Sequence, residues 1–155
     1  MGLDMYLSGK RYMSKYFNKG DEDLQAEIQK KFPELADIVS SFGDSPVKEL
    51  RIEAGYWRKV NAVHDWFVKH VQGGTDDCGN YFVDRDQLIE LKSICETILT
   101  DRSQAADLLP TASGFFFGGT DYDDWYFQGL EQTIKIIDQC LKLPEAWEFE
   151  YHSSW

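Results

Sequence analysis

Between Glu49 and Val71 the chain changes its hydrophobic period, and that change limits what it can fold into. Leu50, Ile52 and Ala54 alternate with Glu49, Arg51 and Glu53, the two-residue repeat of a half-buried strand. After Gly55 the apolar arc becomes Trp57, Val60, His64, Phe67 and Val71, the spacing of one helix face. The sequence therefore predicts a strand that turns into a helix at about Gly55. The first turn of a helix has backbone N–H groups without intrahelical partners, and here it would carry Arg58 and Lys59, so an anion could sit there.

The remaining elements are read outward from this turn. Leu3, Met5 and Leu7 alternate with Asp4 and Tyr6, which predicts a strand over residues 2–8 with one face in a core. Residues 8–20 are polar and basic with scattered aromatics and end in Asn18-Lys19-Gly20, a loop or turn. Asp21 is a candidate cap for a helix bearing Leu24, Ile28 and Phe32. Pro33 interrupts it before Leu35, Ile38, Val39 and Phe42 resume, so two short helices or one kinked helix are expected, ended by Gly43-Asp44-Ser45-Pro46.

Beyond the central helix, residues 72–80 form a Gly-rich loop and Tyr81-Phe82-Val83 a short strand. Asp84 with Gln87 makes a capping box for a helix whose apolar face is Leu88, Leu91, Cys95, Ile98 and Leu99. Residues 101–112 connect to Gly114-Phe115-Phe116-Phe117-Gly118. Three consecutive phenylalanines cannot share one side of a strand, so either both faces are covered or one ring lines a pocket. The longest helix opens at Thr120-Asp121-Tyr122-Asp123-Asp124 with Tyr126, Leu130, Ile134, Ile137 and Leu141 as its stripe, and Trp147 to His152 alternates as a last strand. Strands at both ends, candidates for neighbours in one sheet, predict an α+β fold: a small, mostly antiparallel sheet packed against three to four helices.

A chain of 155 residues with 43% hydrophobic and 15% aromatic content can bury one core without metal or disulfide staples, so a single domain over 1–155 is expected. Sixteen basic against 27 acidic residues give a net charge of −11, which disfavours nucleic-acid backbones and anionic membranes and suits a basic partner. Cys78, Cys95 and Cys140 are odd in number and form no C-x-x-C pair, as in a reducing compartment. No signal-peptide pattern opens the chain and no apolar run nears the roughly 20 residues that span a bilayer, so a cytoplasmic location is expected.

For function, Trp57, Asn61 and His64 at i, i+4, i+7 make one strip, flanked by Tyr56, Arg58 and Lys59, with Phe116 and Trp155 as candidate walls. Cations would hold a phosphate, rings would stack, and Asn61 and His64 would supply directional hydrogen bonds to a small anionic, nucleotide-like ligand. The plainer reading is a core histidine with satisfied nitrogens and lysines facing water. An enzyme would need His64 as general acid or base. Asp121, Asp123 and Asp124 invite a cation but equally suit a helix N-terminus. No metal-binding, phosphate-loop or nucleophile-elbow motif is present, so no cofactor and no metal site are expected.

Four segments, Met1-Gly2-Leu3-Asp4-Met5-Tyr6-Leu7, the stretch Gly55 to Val68, Gly114 to Gly118, and Tyr151-x-Ser153-Ser154-Trp155, resemble a family of small uncharacterised proteins encoded by bacteriophages and prophages. The likeness spans nearly the whole chain except about residues 8–48, which would be a family-variable insertion. It implies a phage accessory protein in the bacterial cytoplasm, and it transfers no activity, cofactor or catalytic residue to any position. The expectation that follows is a non-enzymatic binding protein that counters a host function, with defence the foremost target, by sequestering a signalling nucleotide or by binding a host protein. Two alternatives stand beside it: an acidic nucleic-acid mimic that inhibits a host DNA- or RNA-binding protein, and a small enzyme built on His64. Self-association into a homo-oligomer is compatible with either.

Overall fold

A computed structural model describes residues 2–38, 40 and 45–155. Among them are four strands, β1 (Asp4–Tyr12), β2 (Glu49–Arg58), β3 (Tyr81–Val83) and β4 (Glu148–Ser154), and five helices, α1 (Asp21–Lys31), α2 (Asn61–His70), α3 (Arg85–Thr100), α4 (Ala105–Leu108) and α5 (Asp124–Leu141). The strands form one open antiparallel sheet in the order β2-β1-β4-β3, so the N- and C-terminal strands are hydrogen-bonded neighbours at its centre, in an α+β fold. β3 pairs with β4 through Tyr81 opposite Tyr151 and Val83 opposite Phe149.

The chain divides into two compact units, Met1–Gly9 with Ile52–Trp155, and Lys10–Arg51. In the larger unit the pleat decides what is buried. Leu3, Met5, Leu7, Trp57, Val83, Phe149 and Tyr151 are enclosed on the face covered by helices, while Tyr6, Tyr56 and His152 make ring contacts on the other, with centroids 5.3 Å and 5.9 Å from Tyr6. α3 packs along α5 and contributes Leu88, Leu91, Cys95 and Ile98 to the core. Its start is the expected capping box: the Asp84 N–H donates to Gln87 Oε1 at 2.9 Å. α5 lies close against the sheet because two positions lack side chains. A Cβ on Gly55 would stand 2.4 Å from Ile136 Cγ2, and one on Gly129 2.8 Å from Val60 Cγ1.

The smaller unit is tied by a buried polar cluster. Arg11 donates to both Asp21 oxygens at 3.2 and 2.9 Å, and the Ser14 N–H donates to Asp21 Oδ2 at 3.0 Å. Burial raises the Asp21 carboxyl, but these donors, the Asn18 side chain and the Arg11 charge together outweigh it and hold the pKa below its ordinary value.

Three boundaries differ from the sequence reading. β1 runs on to Tyr12, where a loop from residue 8 is expected. Asp21 is the first residue of α1 rather than its cap, which is Gly20 in the left-handed region. β2 continues to Arg58, so the helix begins at Asn61 and not near Gly55. The deeply buried residues of β2 are Gly55 and Trp57, out of phase with Leu50, Ile52 and Ala54, and Ile52 is 39% exposed. After Pro33 a single 3₁₀ turn, Pro33–Leu35, replaces a second helix. Val39, Phe42, Gly43 and Asp44, read as its continuation and end, lie outside the described residues.

Candidate functional site

Where β2 ends, the chain must leave the sheet and enter α2 within two residues. Lys59 makes that turn at φ 57°, in the left-handed region that non-glycine residues rarely adopt. Its N–H donates to the Leu3 carbonyl at 2.8 Å, closing the strand pair, and Val60 precedes the helix. The stem of Lys59 is bracketed by glycines: a Cβ on Gly2 would stand 3.0 Å from its Cε, and one on Gly118, itself at φ 89°, 3.3 Å from its Cβ.

Beside this turn is a cavity of about 540 Å³, within the ordinary range of small-ligand sites. Its walls come from Tyr56 and residues 58–62 of the strand–helix turn, from Thr111, from Gly118 and Gly119 of the loop that follows the phenylalanines, and from residues between Asp121 and Gln132 at and before the start of α5. Val60, Ala62 and Gly129 give it an apolar floor. Trp125, 80% exposed, stands at its rim.

The sequence-predicted site residues separate into two groups. Tyr56, Arg58, Lys59 and Asn61 line the cavity; Trp57, His64, Phe116 and Trp155 do not. Arg58 is engaged, since Nη1 donates to Asp4 Oδ1 at 3.1 Å, and the Tyr56 hydroxyl donates to the same oxygen at 2.5 Å. That bond to a carboxylate, more than any other cause, raises the Tyr56 phenol, which stays protonated. Lys59 has no hydrogen bond or ion pair from its side chain among the described residues. Asn61, 4% exposed, is a brace: its amide N–H groups donate to the carbonyls of Phe117 at 3.1 Å and Gly119 at 2.8 Å, and its Oδ1 accepts from the Ala112 N–H at 3.0 Å. It shapes the wall and has no spare donor for a ligand.

Trp57 is fully buried, its indole N–H donating to Thr133 Oγ1 at 2.9 Å while that hydroxyl donates to the Gly129 carbonyl at 2.7 Å. The strip Trp57, Asn61, His64 is not presented to a ligand, because Trp57 belongs to the strand and faces the core. Its spacing to Val60 and His64 only imitates a helix.

His64 is 1% exposed and both ring nitrogens are occupied. Nδ1 is 2.8 Å from the Tyr151 hydroxyl and Nε2 is 3.0 Å from Asp76 Oδ2. A carboxylate only accepts, so the neutral ring carries its proton on Nε2 and takes one from the phenol on Nδ1. Burial, chiefly, drives the Tyr151 pKa well above its ordinary value, which keeps that phenol a donor. Trp155 extends the chain, donating from Nε1 to Asp76 Oδ1 at 3.1 Å, and Phe117 packs edge-on against His64 with centroids 5.0 Å apart. The reachable imidazole that acid–base chemistry requires is not offered; His64 fastens α2 to β4 and to the 72–80 loop. Phe116 is held through its backbone, its carbonyl accepting from Leu3 N at 3.0 Å. The three phenylalanines form a turn rather than a strand: Phe115 is 95% exposed and Phe117 packs against the core.

Sequence reasoning missed Asp121, Trp125, Gln128 and Gln132 as cavity residues. One signal was present, in that Trp125 lies off the apolar stripe of α5 and has no place in a core. Asp123 is the N-cap of α5, accepting from Tyr126 N at 3.1 Å, and among the described residues no cluster of three metal-capable side chains converges. No described helix is long and apolar enough to cross a membrane. Comparison of the chain with family models, with curated proteins and with solved structures finds no match.

Proposed function

We propose that this is a non-enzymatic binding protein that holds a small, ring-bearing anionic ligand, nucleotide-like in chemistry, in the cavity at the β2–α2 turn. The observation that carries the reading is Lys59: a lysine whose side chain has no partner among the described residues, at a strained backbone angle, with its stem bracketed by glycines beside a cavity of about 540 Å³. Tyr56 and Trp125 supply ring faces, and Lys59 supplies the cation. Resemblance of four segments to phage-encoded proteins supports the wider reading, in which the protein acts in a bacterial cytoplasm and withholds such a ligand from a host process, foremost defence.

Calorimetry against a panel of cyclic and linear nucleotides tests it. For a ligand of about 23 non-hydrogen atoms, an ordinary efficiency of about −0.3 kcal/mol per atom gives about −7 kcal/mol, a Kd of about 10 µM. Lys59→Ala removes a charge-assisted contact and should weaken binding about tenfold to a hundredfold. Heat with no nucleotide at protein concentrations of tens of micromolar removes the proposal.

One observation favours a second reading, an acidic protein surface for a basic host partner. Residues Lys10–Arg51 hold eight basic and eight acidic side chains, so the net charge of −11 resides wholly in the unit made of Met1–Gly9 and Ile52–Trp155. Complex formation with a host protein that weakens steeply with salt while Lys59→Ala leaves it unchanged would select this reading.

A further inference from the structure

The geometry points to the class of ligand: a ring-bearing molecule that carries both an anionic group and an amino group. The inference rests on the cavity being a binding site, as proposed above, and it narrows what can fill it. Most polar groups of the lining are already spent. Arg58 engages Asp4, Asp123 caps α5, Gln132 Nε2 donates to the Tyr56 carbonyl at 2.8 Å, and the Tyr126 hydroxyl donates to the Leu109 carbonyl at 2.8 Å. Lys59, Asp121 and Gln128 remain, and none of their side chains has a hydrogen bond or ion pair among the described residues.

Lys59 and Asp121 carry opposite charges and line the same cavity, yet no ion pair joins them. Opposite charges free to approach in a shared hollow would gain by pairing. Each is left to take a group of a ligand. The lysine suits a phosphate or carboxylate, and the aspartate, which can only accept, suits an aromatic amine or an ammonium. Gln128 can donate or accept in the same cavity, and the Trp125 ring lines it as a stacking face. A ligand with several phosphates is disfavoured, because a single free cation would face it together with the carboxylates of Asp121 and Asp123. The same chemistry is found in an aminopurine mononucleotide and in an aromatic amino acid.

Calorimetry with matched probes separates these. Adenosine monophosphate is compared with purine riboside monophosphate, which lacks only the exocyclic amine, and tryptophan with indole-3-propionate, which lacks only the ammonium. The amino-bearing member of one pair should bind at least tenfold more tightly than its counterpart, and the pair that responds identifies the source. Asp121→Asn, at an exposed position without side-chain partners among the described residues, should abolish that preference and leave the thermal midpoint unchanged. Adenosine triphosphate should bind more weakly than the monophosphate. If neither pair shows a preference for its amino-bearing member, or Asp121→Asn leaves the preference intact, the amino requirement is overturned while the cavity reading stands. If no probe binds and the nucleotide panel also gives no heat, the cavity reading falls with it.

Discussion

Replacing Asn61 with alanine should loosen the cavity wall without touching a ligand. The amide sits 4% exposed and makes three hydrogen bonds to the 112–119 loop, to the Phe117 and Gly119 carbonyls and from the Ala112 N–H. Each such bond contributes about 0.5–1.5 kcal/mol net, and a buried group left unpaired costs about 1–3 kcal/mol. Gly119 is exposed and Phe117 and Ala112 are half-buried, so water can recover part of the loss. The expected destabilisation of Asn61→Ala is therefore about 2–3 kcal/mol, a large share of the roughly 5–15 kcal/mol of a typical domain. Asn61→Asp should be worse at neutral pH, because a carboxylate oxygen replaces the donor nitrogen and meets two carbonyl oxygens. Urea denaturation measures the first quantity, and amide hydrogen exchange over residues 112–119 reports the loop. A change below about 0.5 kcal/mol with unaltered exchange would refute the bracing role, since that is the size of an ordinary surface substitution.

Other outcomes follow from the packing and the titrating groups. Gly55→Ala drives a Cβ to 2.4 Å from Ile136 Cγ2 and should cost about 1–3 kcal/mol in urea denaturation, and the same substitution should cost much less when made in an Ile136→Ala background. Asp21 has a folded pKa below its ordinary 3.8, so its ionised form adds stability above that value and the contribution is lost as pH falls through the folded pKa. Asp21→Asn should lower stability at pH 7 and flatten the fall below about pH 4 in acid titrations followed by circular dichroism. Burial pushes the Cys95 and Cys140 thiols up to about 12 and about 11, so a thiol reagent should label Cys78 alone in the native protein and all three after unfolding.

The elements legible in the sequence are those whose periodicity is unambiguous. The stripe Leu88, Leu91, Cys95, Ile98 with its capping box, the alternation of Leu3, Met5 and Leu7, and the last strand all recur in the structure at the expected places. Trp57 shows why the β2–α2 junction was displaced: three residues before Val60 and seven before His64, it fits a helix as well as a strand, and only pairing with β1 decides. Gly55 then serves the close approach of α5 and not the turn. Four residues of the candidate cavity were readable, because Tyr56, Arg58, Lys59 and Asn61 are consecutive or nearly so. The opposite wall comes from residues 118–132, more than 50 positions away, and local spacing carries no trace of that proximity.

A nitrogen-15 correlation spectrum recorded during titration with adenosine monophosphate tests the central claim most directly. Concerted shifts should fall on Lys59, Asn61, Gly118, Gly119 and the Trp125 indole, and weaken in Lys59→Ala. Shifts confined to other surfaces, or none at millimolar nucleotide, would contradict the assignment of this cavity as the site where the protein binds its ligand.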